Sequence, residues 1–582
     1  MANGIITIHD RLDEQPSSGP WNRWALLLEQ REDQVFLALT LIIGALVGLA
    51  VVAFIVLTER LGMRLYPVGS AAWRRALIPV AGSLAMGYLL YRYFPGARGS
   101  GVPQTKAALY AGEGNISLRT VLGKFGCTAA TLASGIPLGR EGPSVQVGAG
   151  IASILGRWLR LRQEKVKALL PVGAAAAIAA AFNTPMAAVV FSLEEVIGDL
   201  HAPVLGSVVL ASATSWAMLR LLLGNNPLFH VPQYELVHPL EFAIYAVLGV
   251  AGGFLSVAFS KLLLGMRKRF LLLPRKTQWW HPLTGGFMVG LMGLLVPQVL
   301  GVGYSYVGDA LNGAMALKLM VLLVVLKLFA VTTSYASGNA GGIFGPSLFL
   351  GAMLGGTIGS LAHQFFPTHT ATAGAYALVG MGALFAGIVR APMTSVLMIF
   401  EMTRDYSVIV PLMIANLLSL FISARFQRQP IYEALAHQDG IHLPNLKTRE
   451  GPGRLRVQQV MRSTTEILPA QMNIHEALAL MNSKQFRALP VTDEGSIVGV
   501  LSRATLENAV RNGEGDKKLM DFVKALDFPH VHSDHALHLA LERMSAAHLD
   551  MLPVVNRADA HRLEGIVTLR DVLDSYGVDQ KV

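Results

Sequence analysis

Charge is scarce in this chain: 15% of its 582 residues are charged while 52% are hydrophobic, and the mean hydropathy is +0.46. A water-soluble domain carries about 25% charged residues, so most of this chain does not face water. One cysteine, Cys127, excludes an intrachain disulfide and reads as a small buried packing residue. No nucleophile–base set, metal-spaced His/Cys cluster or G-x-x-x-x-G-K-[ST] phosphate loop occurs, which argues against an enzyme. Residues 1–34 lack the basic start, apolar core and small-residue cleavage site of a removable signal peptide, and are expected to form a cytoplasmic N-terminal segment.

Long apolar stretches are what the chain has instead. Val35 to Leu57 runs 23 residues without a charge, enough to span a bilayer with some tilt. Comparable stretches recur near Ala76–Tyr91, Val204–Leu223, Ala243–Leu264, Gly285–Leu300, Leu319–Ser334 and Val408–Ile422. The chain therefore reads as a polytopic membrane protein seated in a lipid bilayer. The formal charge of +10 includes Arg267-Lys-Arg269, Arg275-Lys276 and the run from Arg157 to Lys167, which mark cytoplasmic loops. Topology, not nucleic acid, explains that excess. Arg60, Arg64, Arg74 and Arg75 fit the same orientation less well.

The chain also repeats itself. Gly139-Arg-Glu-Gly-Pro-Ser-Val-Gln-Val-Gly-Ala-Gly150 aligns without a gap on Gly342-Ile-Phe-Gly-Pro-Ser-Leu-Phe-Leu-Gly-Ala-Met353, 203 residues on. Pro185-Met-Ala-Ala-Val-Val-Phe-Ser-Leu-Glu194 aligns on Pro392-Met-Thr-Ser-Val-Leu-Met-Ile-Phe-Glu401, 207 residues on. Near-equal offsets mean that a whole half is duplicated. Glycine-interrupted apolar segments at matching places in two halves point to a transporter whose substrate site lies between the repeats. The copies differ where chemistry is expected: Glu141 faces Phe344, and Glu195 faces Met402. Glu194 has a counterpart in Glu401 and reads as structural.

Gly99-Ser-Gly-Val-Pro103, Gly139-Arg-Glu-Gly-Pro143 and Gly342-Ile-Phe-Gly-Pro346 each open an apolar helix, and Gln429-Pro-Ile-Tyr432 follows them. Glycine permits close backbone approach, and proline fits a first helical turn. A helix that begins inside the membrane offers unpaired N–H groups and the positive end of its dipole, which suits an anion. Held by such partial charges alone, the ion is bound weakly enough to leave. A carboxylate at such an end, as Glu141 would be, is itself an anion able to take that place, and protonation would release it. An ionisable residue inside a membrane is a functional site by default.

Taken in order with the repeat, the four motifs resemble the CLC family of chloride channels and chloride/proton exchangers over residues 30–440. The resemblance implies an all-α polytopic membrane fold, an inverted repeat of tilted and broken helices. It implies a homodimer in a bacterial-type cell inner membrane, with one anion pathway per subunit and chloride and protons as its substrates. The hydroxyls of Ser100 and Tyr432 would donate to chloride, and Ile343 and Phe344 would supply backbone N–H groups. A serine at position 100 implies chloride, where proline would imply nitrate. Glu141 matches the gating glutamate, and Glu195 the inner proton-transfer glutamate, which is apolar in channel members. A glutamate at 195 therefore favours an exchanger over a passive, voltage- or pH-gated chloride channel. Lys124 matches a basic residue near the pathway that tunes its potential or pairs with an acid. Gln104 departs from the family, which commonly has an acid there, and Lys106 is its basic neighbour.

Apolar character stops near Arg425, and residues 436–456 have the composition of a linker. The transport domain is thus expected at 35–435. Soluble α/β sequence follows, again as a pair. Phe486-Arg-Ala-Leu-Pro-Val491 and Gly499-Val-Leu-Ser502 precede one helix; Leu549-Asp-Met-Leu-Pro-Val554 and Gly565-Ile-Val-Thr568 precede another. Amphipathic helices are expected upstream of each, at Ile474–Asn482 and Ala536–Ala547. These units resemble a cytoplasmic pair of CBS domains, at 457–515 and 516–582. That resemblance implies an adenine nucleotide (ATP, ADP or AMP) held by Thr568 and Asp571, the carboxylate taking the ribose hydroxyls. Thr505 stands at the matching place in the first unit, so at most one good half-site is expected. No other cofactor and no metal are expected. A membrane-anchored nucleotide sensor that transports nothing would require all four anion motifs to be vestigial.

Overall fold

The computed structural model describes residues 32–443 and 455–575, apart from 68–70, 201, 225–227, 230, 233, 235, 404–405, 442, 464–466, 484–485, 524–527, 548 and 558. The expected N-terminal segment up to residue 31, and most of the linker, lie outside the described residues. The chain divides between Leu443 and Pro444 into two compact units.

The first unit is helical, and its helices come in two matching series. The first is α1 (Glu32–Leu65), α2 (Ala72–Arg92), α3 (Val102–Tyr110), α4 (Leu118–Ala133), α5 (Glu141–Trp158), α6 (Gln163–Phe182), α7 (Pro185–Phe191) and α8 (Leu205–Leu223). The second is α9 (Glu241–Leu271), α10 (His281–Leu295), α11 (Tyr304–Leu311), α12 (Leu317–Ser337), α13 (Phe344–Phe365), α14 (Ala373–Val389), α15 (Pro392–Thr403) and α16 (Ile409–Phe426). A short helix, α17 (Ile431–Gln438), follows and carries helical order into the first residues assigned to the linker. The duplication read from two motifs thus extends to eight helices a side among the described residues.

Seven described helices or helix pairs are long and apolar enough to cross a membrane, including α1, α8, α9 and α12 as expected. Gln163–Phe182 and Phe344–Phe365 belong to that set and were not expected, because glycine and alanine dilute their apolar signal. Ala76–Tyr91 and Gly285–Leu300 do not belong to it. The second falls in α10, only 15 residues long.

Small residues let these broken helices touch backbone to backbone. A Cβ on Gly148 would lie 2.3 Å from the carbonyl oxygen of Gly173, and one on Gly173 would lie 2.3 Å from that of Gly148. Gly351 and Gly380 make the same reciprocal contact, again at 2.3 Å. In lipid, where no hydrophobic drive distinguishes helix from tail, such close approach is the main source of helix association. Cys127 is buried, as a packing residue should be.

The second unit holds two three-stranded sheets of identical pattern. In the first, β1 (Leu468–Pro469) pairs parallel with β2 (Ala488–Asp493), which pairs antiparallel with β3 (Ser496–Ser502). In the second, β4 (Val531–His532), β5 (Met551–Val555) and β6 (Leu563–Thr568) repeat that order. Helices α18 (Ile474–Ser483) and α20 (Leu537–Ala547) precede the hairpins, and α19 (Arg503–Arg511) and α21 (Leu569–Ser575) follow them.

Candidate functional site

The two Gly-Pro helix starts meet at the centre of the first unit. Gly139 and Gly342 exchange both backbone hydrogen bonds, each 2.7 Å, in an antiparallel bridge. From this bridge α5 and α13 depart, so residue 141 of one repeat lies against the first turn of the other. Glu141 is fully buried. Its Oε2 accepts the Gly345 N–H at 3.2 Å, and its Oε1 accepts the Tyr304 hydroxyl. The carboxylate therefore sits at the positive end of α13, not only at the start of its own helix.

Tyr304 opens α11 after a glycine with left-handed geometry, and sequence reasoning missed it. Its ring lies under the Arg140 guanidinium, 5.4 Å from centroid to carbon, and 5.9 Å from the ring of Phe229.

Ser100 and Tyr432 are both buried, and neither hydroxyl has a hydrogen-bond partner among the described residues. Unpartnered hydroxyls are costly in a dry interior and call for a ligand. A halide accepts from both, so the pair fits chloride. Ser100 does not cap helix α3: Gly101 is the capping residue, and its N–H donates to Gln104 Oε1 at 2.8 Å. That is what Gln104 does here. Gly101 has φ of 109°, and a Cβ on it would lie 2.1 Å from the Gly142 carbonyl oxygen. The glycine thus brings the Ser100 loop onto the start of α5. The Ser100 N–H donates to the Tyr335 hydroxyl at 3.1 Å, which fixes the loop from α12.

Ile343 and Phe344 stand at the entrance to α13, where N–H groups have no preceding turn to bond. The Phe344 ring is wedged among Phe385 at 4.4 Å, Phe182 at 4.9 Å and Phe191 at 5.7 Å.

Lys124 pairs with no acid, contrary to one expectation. Its buried ammonium donates to the carbonyls of Ala97, at 3.1 Å, and Gly99, at 2.5 Å. Lys327 does the same in the second repeat, to Val299 at 3.0 Å and Gly301 at 2.7 Å. Each lysine props the irregular loop that leads into a short helix, α3 or α11. The first carries Ser100 and the second ends at Tyr304.

Glu194 and Glu401 cap each other's helices. Glu194 accepts the N–H groups of Met393 at 3.2 Å and Thr394 at 2.8 Å, opening α15. Glu401 accepts those of Met186 at 2.9 Å and Ala187 at 2.7 Å, opening α7. The structural reading of this pair therefore holds, with backbone amides as the partners.

Glu195 does something else. Residues Ser192–Ile197 form a π-helical turn at the end of α7. The matching segment of the second repeat stays α-helical through Thr403. Such turns concentrate at functional positions. Here Glu194 reaches α15 while Glu195, buried, takes the ammonium of Lys106 at 2.9 Å.

In the second unit, Asp571 is buried and already committed. Its Oδ2 accepts the Thr568 N–H at 3.2 Å and the Thr568 hydroxyl at 2.7 Å, and its Oδ1 pairs with Arg462. A nucleotide using this carboxylate for its ribose would have to displace Arg462. At the matching place Thr505 donates its N–H to Ser502 Oγ at 3.2 Å, a plain helix cap.

With this geometry in hand, the comparisons are decisive about kinship. Residues 82–424 match the family described as voltage gated chloride channel. The chain belongs to that family. Residues 457–512 and 523–577 match the CBS domain. The H(+)/Cl(-) exchange transporter ClcA of Vibrio campbellii is 33% identical over 386 residues, covering 65% of this chain and 82% of the relative. Its namesake in Vibrio cholerae is 32% identical over 416 residues, covering 69% and 89%. A ClcB-like chloride channel protein of Ralstonia nicotianae is 36% identical over 347 residues, covering 59% and 81%. Among solved structures, a slow cyanobacterial Cl-/H+ antiporter matches with a TM-score of 0.64 at 26% identity, over 69% of this chain and 97% of that one. A eukaryotic CLC transporter, at 20% identity and a TM-score of 0.60, supports the fold alone, over 92% of this chain and 97% of its own.

Proposed function

We propose that this chain exchanges chloride for protons across a membrane, with Glu141 as the gate and Glu195 as the inner proton-transfer group. One observation carries the reading: the buried Glu141 carboxylate takes an N–H at the end of α13 that Ile343 and Phe344 open, while the buried Ser100 and Tyr432 hydroxyls stay without a partner among the described residues. Chloride is held by the Ser100 and Tyr432 hydroxyls and by the N–H groups of Ile343 and Phe344. The ionised Glu141 carboxylate competes for the end of α13. Protonated, it loses its attraction to that end, swings away, and an anion takes its place. Glu195 relays the proton from the cytoplasmic side.

Relatives named as exchangers support this reading. The basic loops from Arg157 to Lys167 and from Arg267 to Lys276 support a cytoplasmic face on that side, with the CBS pair there and the protein in the cell inner membrane. A homodimer, with one pathway in each subunit, goes with it. The alternative is a passive channel on the same fold. The two are separated in liposomes: a chloride gradient should drive protons uphill. A reversal potential fixed at the chloride equilibrium value, indifferent to a pH gradient, would make the protein a channel.

Tyr304→Phe should loosen the gate, because it removes one of two hydrogen bonds to the Glu141 carboxylate and leaves the ring in place. A hydrogen bond to a charged group contributes about 1.5–3 kcal/mol, so chloride efflux at neutral pH should rise by about ten- to a hundredfold. Unchanged efflux and an unchanged pH dependence would mean that the hydroxyl does not hold the gate.

A further inference from the structure

Lys106 holds Glu195 in a buried ion pair. It sits on α3, six residues after Ser100, and its side chain is as dry as that of its partner: 6% exposed against 8%. Tyr110, one turn farther along α3, donates its hydroxyl to the Ile197 carbonyl at the end of the π turn. Helix α3 is thus tied to that turn at two points. Helix α17, packed on α3, carries Glu433 and Tyr432, and the π turn itself carries Glu194 beside Glu195. Helix α7, also packed on the turn, has no titratable residue, and those of α6 lie in its first turns at Glu164, Lys165 and Lys167.

The charge arithmetic follows directly. With Glu195 ionised, the pair is neutral and its members satisfy each other. A proton added to Glu195 leaves a buried ammonium with no counter-charge at the contact, which is expensive in a medium of low polarity. An anion arriving at Ser100, in the loop that leads into the same short helix, and at Tyr432 on α17 offsets that charge.

We infer that Lys106 is a positioning residue for proton transfer: its ammonium holds Glu195 as a carboxylate turned toward α3. Glu195 then takes a proton only when the cytoplasmic side is acid or when chloride balances the lysine. This rests on the exchange reading of Glu195. It makes proton loading and chloride binding support one another, and it gives the charge at position 106 a purpose that neither an acid nor a neutral residue would serve.

The test uses the full chain in liposomes, with chloride-driven proton uptake and chloride flux recorded together from about pH 5 to pH 8. Lys106→Met and Lys106→Gln remove the charge, and Lys106→Arg keeps it. An opposite charge in contact moves the protonation of a carboxyl by about 1–3 pH units. The two neutral variants should therefore continue to move protons at least about one pH unit above the range of the wild type, while the arginine variant tracks the wild type. A neutral variant with the wild-type pH profile would overturn the inference. So would loss of chloride flux in both neutral variants but not in Lys106→Arg, which would make the charge a requirement for folding. A wild type that moves no protons at any pH would overturn the exchange reading, and the inference with it, before any variant is compared.

Discussion

Glu141→Gln is expected to leave a protein that conducts chloride at all pH values and moves no protons. The amide has the shape of a protonated carboxyl and none of the charge that draws Glu141 to the Gly345 N–H and the end of α13. In a partly buried setting that attraction reaches about 2 kcal/mol, a factor of about 30 in occupancy of the helix end. Chloride flux at neutral pH should therefore approach what the wild type reaches only in acid, and its pH dependence should vanish. Flux from loaded liposomes, measured alongside external pH, checks both. A variant that still drives protons against their gradient would remove Glu141 from the proton path.

The second large effect is expected at Glu195. Valine would abolish titration but strand Lys106 in the interior, and breaking one side of a buried ion pair costs about 3–5 kcal/mol. Glutamine is the better probe, since its carbonyl still accepts from the Lys106 ammonium. Chloride movement should persist in Glu195→Gln while proton movement disappears. The reversal potential should shift to the chloride equilibrium value and stop responding to pH. If coupling survives, Glu195 is not the relay. Glu194 is a poor substitute, because its carboxylate is occupied by the amides of α15.

Much of this was legible in the sequence because the repeat is written in glycine and proline, which report backbone geometry directly. The helix starts at Gly139 and Gly342, the pairing of Glu194 with Glu401 and the odd standing of Glu195 all follow from aligning the halves. Lys327 could have been found in the same way, 203 residues after Lys124. Tyr304 could not, since one tyrosine among apolar residues carries no local signal, and only tertiary contact brings it to a carboxylate 163 residues away. The same holds for Lys106 and Glu195, 89 residues apart and joined through a turn whose π geometry leaves no mark in composition. Asp571 shows the converse. Its motif was plain in sequence, but the Arg462 that occupies it lies 109 residues away in the chain.

The ties between the two halves also limit how the molecule can move. The Gly139–Gly342 bridge and the reciprocal caps at Glu194 and Glu401 cross from one repeat to the other. Transporters built from repeats commonly work by rocking one half against its mate. Here such a stroke would tear open the two buried amide contacts between Gly139 and Gly342, each at about 1–3 kcal/mol, and the helix caps besides. The frame instead stays locked, and access changes through the swing of individual side chains within it. A machine of that kind displaces little lipid as it cycles. A thicker or stiffer bilayer should then leave its turnover unchanged.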